Sequence, residues 1–373
     1  MIYLDNAATT KVRDEVFEIM LPYLRDEYGN PSGVYLAARS AHAGLDRARE
    51  RMAKALNAKF AREIFFTSCG TESDNWALIS STKKGDHIIT SMVEHHAVLE
   101  TCAYLEKNGR EVTYIKPDKY GMVHAEAVAE AIKENTALIS VMHANNEVGT
   151  INPIKQIAKT AHENGILFHT DAVQSAGHIP IDVTDLDVDM LSVSGHKFHA
   201  PKGVGALYIK NTVKLHPYLN GGSQERGLRA GTENLASIVG MGLALELAVK
   251  EMETTNAYLT KLRDHMICQL MEAVPGTILN GHPTMRLPGN VNVSFKNTKA
   301  ETVLFGLDLK GIAAASGSAC TAGAISVSHV IKAMDIPGEY SSGATRFSFS
   351  KYTTKDDVDA AVIAVKEIFD RKI

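Results

Sequence analysis

Seven short runs rich in Ile, Val and Phe, spaced by longer stretches of helical period, constrain this chain more than any other feature. The runs are EIFFTS (63–68), HIITS (87–91), VTYI (112–115), ALISVMH (137–143), ILFHTDA (166–172), DMLSVS (189–194) and GALYI (205–209). Helical patterns over 71–83, 95–107, 124–134 and 153–164 separate most of them. Short apolar runs of this kind have the length of strands buried on both faces, and alternation with helices builds βαβ units. The expected fold class is therefore α/β: a large domain with a mostly parallel seven-stranded sheet and helices on both faces. A long helix opens near 232, and beyond about 260 the texture changes to helix, short strands (NVNVSF, 290–295; ATRFSFS, 344–350) and a closing helix. That is the pattern of a smaller α+β domain. With 373 residues the chain exceeds one small core, and we expect a large domain over 1–255 and a small one over 256–373, the long helix crossing between them.

A net charge of −4, a pI near 6.4 and the lack of any Lys/Arg run argue against nucleic acid as a direct partner. The opening MIYLDNAATT has neither the basic nor the apolar region of a signal peptide, and no apolar run is long enough to span a bilayer. Cys69, Cys102, Cys268 and Cys320 are scattered without a CxxC pair, which fits a reducing cytoplasm rather than a disulfide framework or a four-thiolate metal site. No HExxH or similar spacing supports a metal-dependent hydrolase, and no metal site is expected.

In open α/β sheets ligands bind beyond the carboxyl ends of the strands, so the polar residues there carry the functional signal. After EIFFTS comes CGTESDN: Gly70 allows close approach, and Thr71 opens a helix whose N–H groups and dipole cradle an anion, although Ser/Thr with a following acid also reads as a plain cap. Asp171 and Gln174 close the ILFHTDAVQ run; the acid is either a helix cap or the holder of a proton on a ligand's ring nitrogen. Ser194, Gly195, His196 and Lys197 follow DMLSVS directly, a confined place for a lysine that would otherwise be solvated. His95 stands at a strand end and helix start, where an imidazole can stack on a ring and exchange protons. Asn145 and Asn146 follow ALISVMH, where an amide can bind a ring oxygen or substrate carboxylate, or simply form an Asx turn. One carbonyl cofactor needs an amine, an acid for its pyridine nitrogen and a phosphate cradle together: pyridoxal phosphate. Thr71, Asp171 and Lys197 supply those parts on successive strands. Cys320, in ASGSACTAGAISVS (315–328), lies among the small polar residues of a loop, whereas Cys69, Cys102 and Cys268 read as packing residues.

YLDNAATT, NPSGVY, FTSCGTESDN, EHHAVL, MHANNEVGTI, HTDAVQSAG, SVSGHKFHAPKGVGALY, GGSQERGLRAGTEN, PGNVNVSF, ASGSACTAG and TRFSFS together span nearly the whole chain. In these motifs the sequence resembles the cysteine desulfurases, class V members of the fold-type-I pyridoxal-phosphate enzymes, of the long-loop type. The resemblance implies that Lys197 holds the cofactor, His95 stacks on its ring, Asp171 meets the pyridine nitrogen and Gln174 the ring hydroxyl. It puts Gly70, Thr71, Ser194 and His196 at the phosphate, with Thr232 reaching the phosphate of the other subunit of a homodimer. Asn146 lies near cofactor and substrate, and Arg346 clamps the substrate carboxylate. Cys320 takes sulfur from L-cysteine as a persulfide, for delivery to an acceptor protein such as an iron–sulfur scaffold, and would be the residue to ligate a transferred cluster. The first ~12 residues are expected to associate with the small domain. Two departures stand out: the usual glycine before the proline of the lysine turn is replaced in HAPKG by His199 and Ala200, and the chain stops at EIFDRKI, which leaves the acceptor open. The alternatives are a selenocysteine lyase or another class V enzyme on the same cofactor, and a non-catalytic binding protein with the same fold.

Overall fold

The computed structural model describes residues 1–317 and 327–370; Cys320 lies outside the described residues. Strand β1 (Ile2–Tyr3) is followed by helices α1 (Asp14–Arg25) and α2 (Leu36–Ala55). Strands β2 (Ile64–Thr67), β3 (His87–Ser91), β4 (Glu111–Ile115), β5 (Thr136–Ser140), β6 (Leu167–Asp171), β7 (Met190–Ser194) and β8 (Gly205–Ile209) then alternate with α3 (Gly70–Ser80), α4 (His96–Lys107), α5 (Ala125–Glu130) and α6 (Ile154–Glu163). The rest comprises α7 (Leu235–Ala273), β9 (Ile278–Leu279), β10 (Asn290–Ser294), α8 (Ala300–Asp308), β11 (Ile312–Ala313), α9 (His329–Ala333), α10 (Gly338–Ser341), β12 (Ala344–Ser348) and α11 (Lys355–Asp370).

The seven runs read as strands form one sheet in the order β2-β8-β7-β6-β5-β3-β4. All neighbours are parallel except β8, which is antiparallel to both β7 and β2. Because β8 alone is reversed, β2 points the same way as β7, and its carboxyl end reaches the same edge of the sheet. Adjacent residues along a strand face opposite sides, so the apolar runs feed two cores at once. Phe66, Ile89, Ile139 and Leu191 pack with α2, α6 and the first part of α7. Phe65, Ile88, Leu138 and Met190 pack on the other face with Trp76, Val98 and Leu105 of α3 and α4.

A third core gathers Leu259, Met266 and Leu270 of α7 with Val291 and Val293 of β10, Phe347 of β12 and Val358 and Val365 of α11. At about 1.5 Å per residue, the 39 residues of α7 run about 60 Å and serve both this core and the one that α7 shares with α2. Leu4 belongs to this third core, and β1 pairs in parallel with β11. One packing expectation fails here: Cys268 is exposed. It lies two residues from both Met266 and Leu270, which puts it about 200° around the helix from their buried stripe.

His199, one residue before Ala200 at the place of that glycine, takes a left-handed φ of 68°. Its N–H donates to Thr10 Oγ1 (2.8 Å) and its Nδ1 lies 2.8 Å from the Lys11 carbonyl oxygen, contacts that offset the strain of a side chain in that region. Gly205, opposite Thr67 on one side and Ser194 on the other, is a tight point of the sheet edge that carries the site. A Cβ there would fall 2.6 Å from the Cys69 carbonyl carbon and 2.8 Å from the Val193 oxygen, both backbone atoms that cannot rotate away. Gly205→Ala is expected to destabilise the fold by about 1–3 kcal/mol, read as a lowered midpoint in urea or thermal unfolding; an unchanged midpoint would refute the packing argument.

Candidate active site

The carboxyl ends of β2, β3, β5, β6 and β7 surround a cavity of about 240 Å³. Its wall includes Gly70, Thr71, His95, Asn146, Asp171, Gln174, Ser194, His196, Lys197 and Arg346, ten residues that the sequence singled out from separate segments. Thr232 is not among them: it is exposed, just before α7.

Gly70 is the first residue of α3, and its place admits no side chain. A Cβ would meet Val173 Cγ2 at 2.6 Å and Ser194 Cβ at 3.3 Å. The α3 N-terminus is thereby drawn against the ends of β6 and β7, with its unpaired N–H groups and positive dipole end beside Ser194 and His196. Helix capping and anion binding are compatible here: the Ser68 N–H is taken by Glu72 Oε2 (2.7 Å), while Thr71 lines the cavity.

Asp171 ends β6 and is buried. Its Oδ1 accepts from the Val173 N–H at 2.8 Å. Burial pushes its carboxyl up to about 6, against the pull of that N–H and of Lys197. Lys197 ends the single turn after β7, and its ammonium donates to the carbonyls of Ala7 (2.7 Å) and Ala8 (2.8 Å). Gln174 donates to the same Ala7 oxygen (3.0 Å). His95 caps α4, its Nδ1 accepting from the Ala97 N–H at 3.1 Å, so the ring proton of the neutral imidazole belongs on Nε2. Burial, then the charges of Lys197, His96 and His329, push its pKa down to about 4, and His95 is uncharged at neutral pH. His196 is likewise held down to about 4 by burial and by Lys197 and Lys202, with its Nδ1 3.2 Å from Thr9 Oγ1.

The two asparagines part company. Asn145 is the Asx turn: its Oδ1 accepts from the N–H groups of Glu147 and Val148 (both 2.9 Å), and it does not line the cavity. Asn146 lines it and offers its carbonyl to Arg346 Nη1 at 2.8 Å. Arg346 Nη2 is paired with Asp5 Oδ1 at 2.7 Å.

Three contributions escaped the sequence reading. The Ala7 and Ala8 carbonyls are main-chain groups of residues with no reactive side chain, so nothing marks them. Asp5 belongs to YLDNAATT but has no local pattern of its own. Asp74 lies three residues beyond Thr71, on the same helix face, and that spacing is its only signal. It is buried in the cavity wall, Oδ1 lacks a hydrogen-bond partner among the described residues, and burial together with the Asp171 charge holds its carboxyl well above the ordinary range.

These residues fit pyridoxal phosphate. The cradle that a Cβ on Gly70 would fill suits a phosphate, Asp171 suits a pyridinium, and a lysine amine is fixed at the same cavity. No helix among the described residues is long and apolar enough to cross a membrane.

The chain matches the aminotransferase class-V family over residues 2–361. It is 52% identical to cysteine desulfurase IscS of Methanosarcina thermophila, over 98% of this chain and 91% of that one. It is 45% identical to cysteine desulfurase NifS of Azotobacter vinelandii, over 98% and 92%. Among solved structures, a NifS-like protein superposes with a TM-score of 0.93 at 39% identity, over 99% of each chain. SspA in complex with cysteine superposes with a TM-score of 0.84 at 37% identity, over 95% of this chain and all of that one. The chain belongs to the class-V aminotransferase family, among its cysteine desulfurases.

Proposed function

We propose that this protein is a cysteine desulfurase that converts L-cysteine and the Cys320 thiol into L-alanine and a Cys320 persulfide. The observation that carries the reading is the convergence of Lys197, Asp171, the Gly70–Thr71 cradle and Arg346 on one cavity. Bound pyridoxal phosphate supplies an electron sink for the carbon framework of the substrate. Gly70, Thr71, Ser194 and His196 would hold its phosphate, Lys197 would hold it covalently, Gln174 would meet its ring hydroxyl, and Asp171 would keep its ring nitrogen protonated. Arg346 takes the substrate carboxylate, with Asn146 beside it; the guanidinium fork suits a planar anion.

The Lys197 amine, once free, would take the Cα proton. The neutral His95 ring would lie against the cofactor and move a proton between the substrate thiol and Cys320. The Cys320 thiolate attacks the substrate sulfur: an S–S bond forms, the Cβ–Sγ bond breaks, and its electron pair remains on carbon to be protonated as alanine. Ser316 and Gly317, just before the segment that carries Cys320, line the same cavity, which supports that thiol as the acceptor. The enzyme works as a homodimer in which Thr232 of one protomer completes the phosphate site of the other. Exposed Tyr28, Val34 and Leu36, together with Thr232 standing outside its own cavity, support that assembly. The unpaired cysteines fit a cytoplasmic setting, and the persulfide passes to an acceptor such as an iron–sulfur scaffold.

Cys320→Ser is expected to abolish alanine formation from cysteine while the purified protein stays yellow with a full complement of cofactor. Borohydride is expected to fix the cofactor on Lys197 in the parent protein and not in Lys197→Ala. Normal turnover by Cys320→Ser, or a visible band that survives borohydride, would overturn the assignments.

The Asp171 carboxyl near 6 predicts a pH dependence of cofactor binding. Below that value the unloaded site is protonated and cannot pair with a pyridinium, so affinity for pyridoxal phosphate weakens as pH falls. Between pH 7 and 5 the loss attributable to Asp171 is about tenfold, and the Asp171→Asn profile lacks that component while lying weaker at pH 7. Parallel profiles for the two proteins would exclude the role.

A further inference from the structure

Glu147 is a buried carboxylate that the proposed chemistry does not use. It follows Asn146 in the turn after β5, and its backbone is unusually well held. Its N–H donates to Asn145 Oδ1 (2.9 Å), and its carbonyl accepts from Asn290 Nδ2 (3.2 Å) and Asn292 Nδ2 (3.0 Å), both on β10. Three side-chain amides therefore fix where this carboxylate starts.

Its other end meets two residues far away in sequence. Glu147 Oε2 accepts from Ser328 Oγ at 2.5 Å. The Ser328 oxygen in turn accepts from the Val330 N–H (3.0 Å) as the cap of α9, so its single proton is committed to Glu147. Gly317 lies against the same oxygen: a Cβ there would fall 1.8 Å from Oε2 and 2.5 Å from Cδ. Two residues earlier, Ala315 exchanges both backbone hydrogen bonds with Arg346, N–H to carbonyl at 3.1 Å and 2.6 Å. Gly317 and Ser328 bracket residues 318–326, which include Cys320. Burial raises the Glu147 carboxyl, while the Ser328 hydroxyl, Arg346 and His96 draw it back down.

We infer that Glu147 is a positioning residue for the sulfur-accepting step: its carboxylate pins Gly317 and Ser328 to one point of the wall beside Asn146 and Arg346. This rests on the reading of Cys320 as the accepting thiol. Glycine at 317 is a requirement of the pin rather than of loop freedom, because any side chain would displace the carboxylate from Ser328. The pinned stem is also the one that pairs with Arg346, so the carboxylate clamp and the point from which the Cys320 segment departs are held in one frame.

The test uses the holoenzyme and follows two signals: persulfide on Cys320 by mass spectrometry after a single pulse of cysteine, and the cysteine concentration that half-saturates the visible absorbance change. Glu147→Ala is expected to slow persulfide formation roughly ten- to hundredfold, with half-saturation within about twofold of the parent. Glu147→Gln, which keeps an oxygen for Ser328, recovers most of the rate. Alkylation of Cys320 by iodoacetamide, which needs no turnover, changes in Glu147→Ala and not in Glu147→Gln. Gly317→Ala reproduces the Glu147→Ala defect, and the double variant is no worse than either single, since both break one contact. It also covers the case in which Glu147→Ala does not load cofactor. Parent-like persulfide formation in Glu147→Ala or Gly317→Ala, or defects that multiply in the double variant, would overturn the inference. Absence of persulfide on Cys320 in the parent protein would instead overturn the proposed function.

Discussion

Without cofactor on it, the Lys197 ammonium is tied to the carbonyls of Ala7 and Ala8, and this tie orders the site. These are charge-assisted hydrogen bonds, stronger than neutral ones, and they draw an N-terminal segment over the carboxyl edge of the main sheet. The same segment is anchored at both ends. Asn6 Nδ2 donates to the Ser348 carbonyl (2.9 Å), Thr10 donates through both N–H and Oγ1 to the His196 carbonyl, and Asp5 pairs with Arg346. Six residues thus connect the lysine turn after β7 with the arginine of β12. Strands from two sheets meet around one cavity because this short stretch bonds to both.

The charges around the cavity are arranged for a loaded site. Asp74, Glu94 and Asp171 are all buried, and burial raises each carboxyl, Glu94 to about 8 and Asp171 to about 6. His95 and His196 are pushed the other way and remain neutral. Glu94, His95 and His196 therefore add little formal charge around the cavity at neutral pH, whereas Asp171 is largely ionised there and can meet a pyridinium. The cations Lys197 and Arg346 are bound to backbone carbonyls or to Asp5. A cation so partnered has a defined position, which the proposed roles of Lys197 and Arg346 both require.

Much of this was legible in the chain. The seven apolar runs are the seven strands of the main sheet within a residue or three, because a strand buried on both faces needs an unbroken apolar run. Nine of the residues placed after strands of the main sheet share one cavity, for the topological reason that parallel strands put their carboxyl ends on one edge; Arg346, named through the resemblance alone, reaches it from β12. The helices α1 and α2 were missed: α2 buries Ala38, Ala41, Gly44 and Ala48, small residues that give little amphipathic contrast. Cys268 went wrong for the opposite reason, since apolar neighbours two residues away lie on the far side of the helix.

The sequence by itself determined the class of fold, the strands and the candidate side chains of the site, because these depend on local periodicity and on residue chemistry at strand ends. Only the tertiary structure decided that β8 is reversed, so that β2 delivers Gly70 to the same edge as Lys197. It alone assigned the Asx turn to Asn145 and the cavity to Asn146, brought Glu147 against Gly317 and Ser328, and gave the Ala7 and Ala8 carbonyls to Lys197. The physical reason is common to all of these. They are contacts between residues remote along the chain, often through backbone atoms or missing side chains, and such contacts leave no mark on local composition.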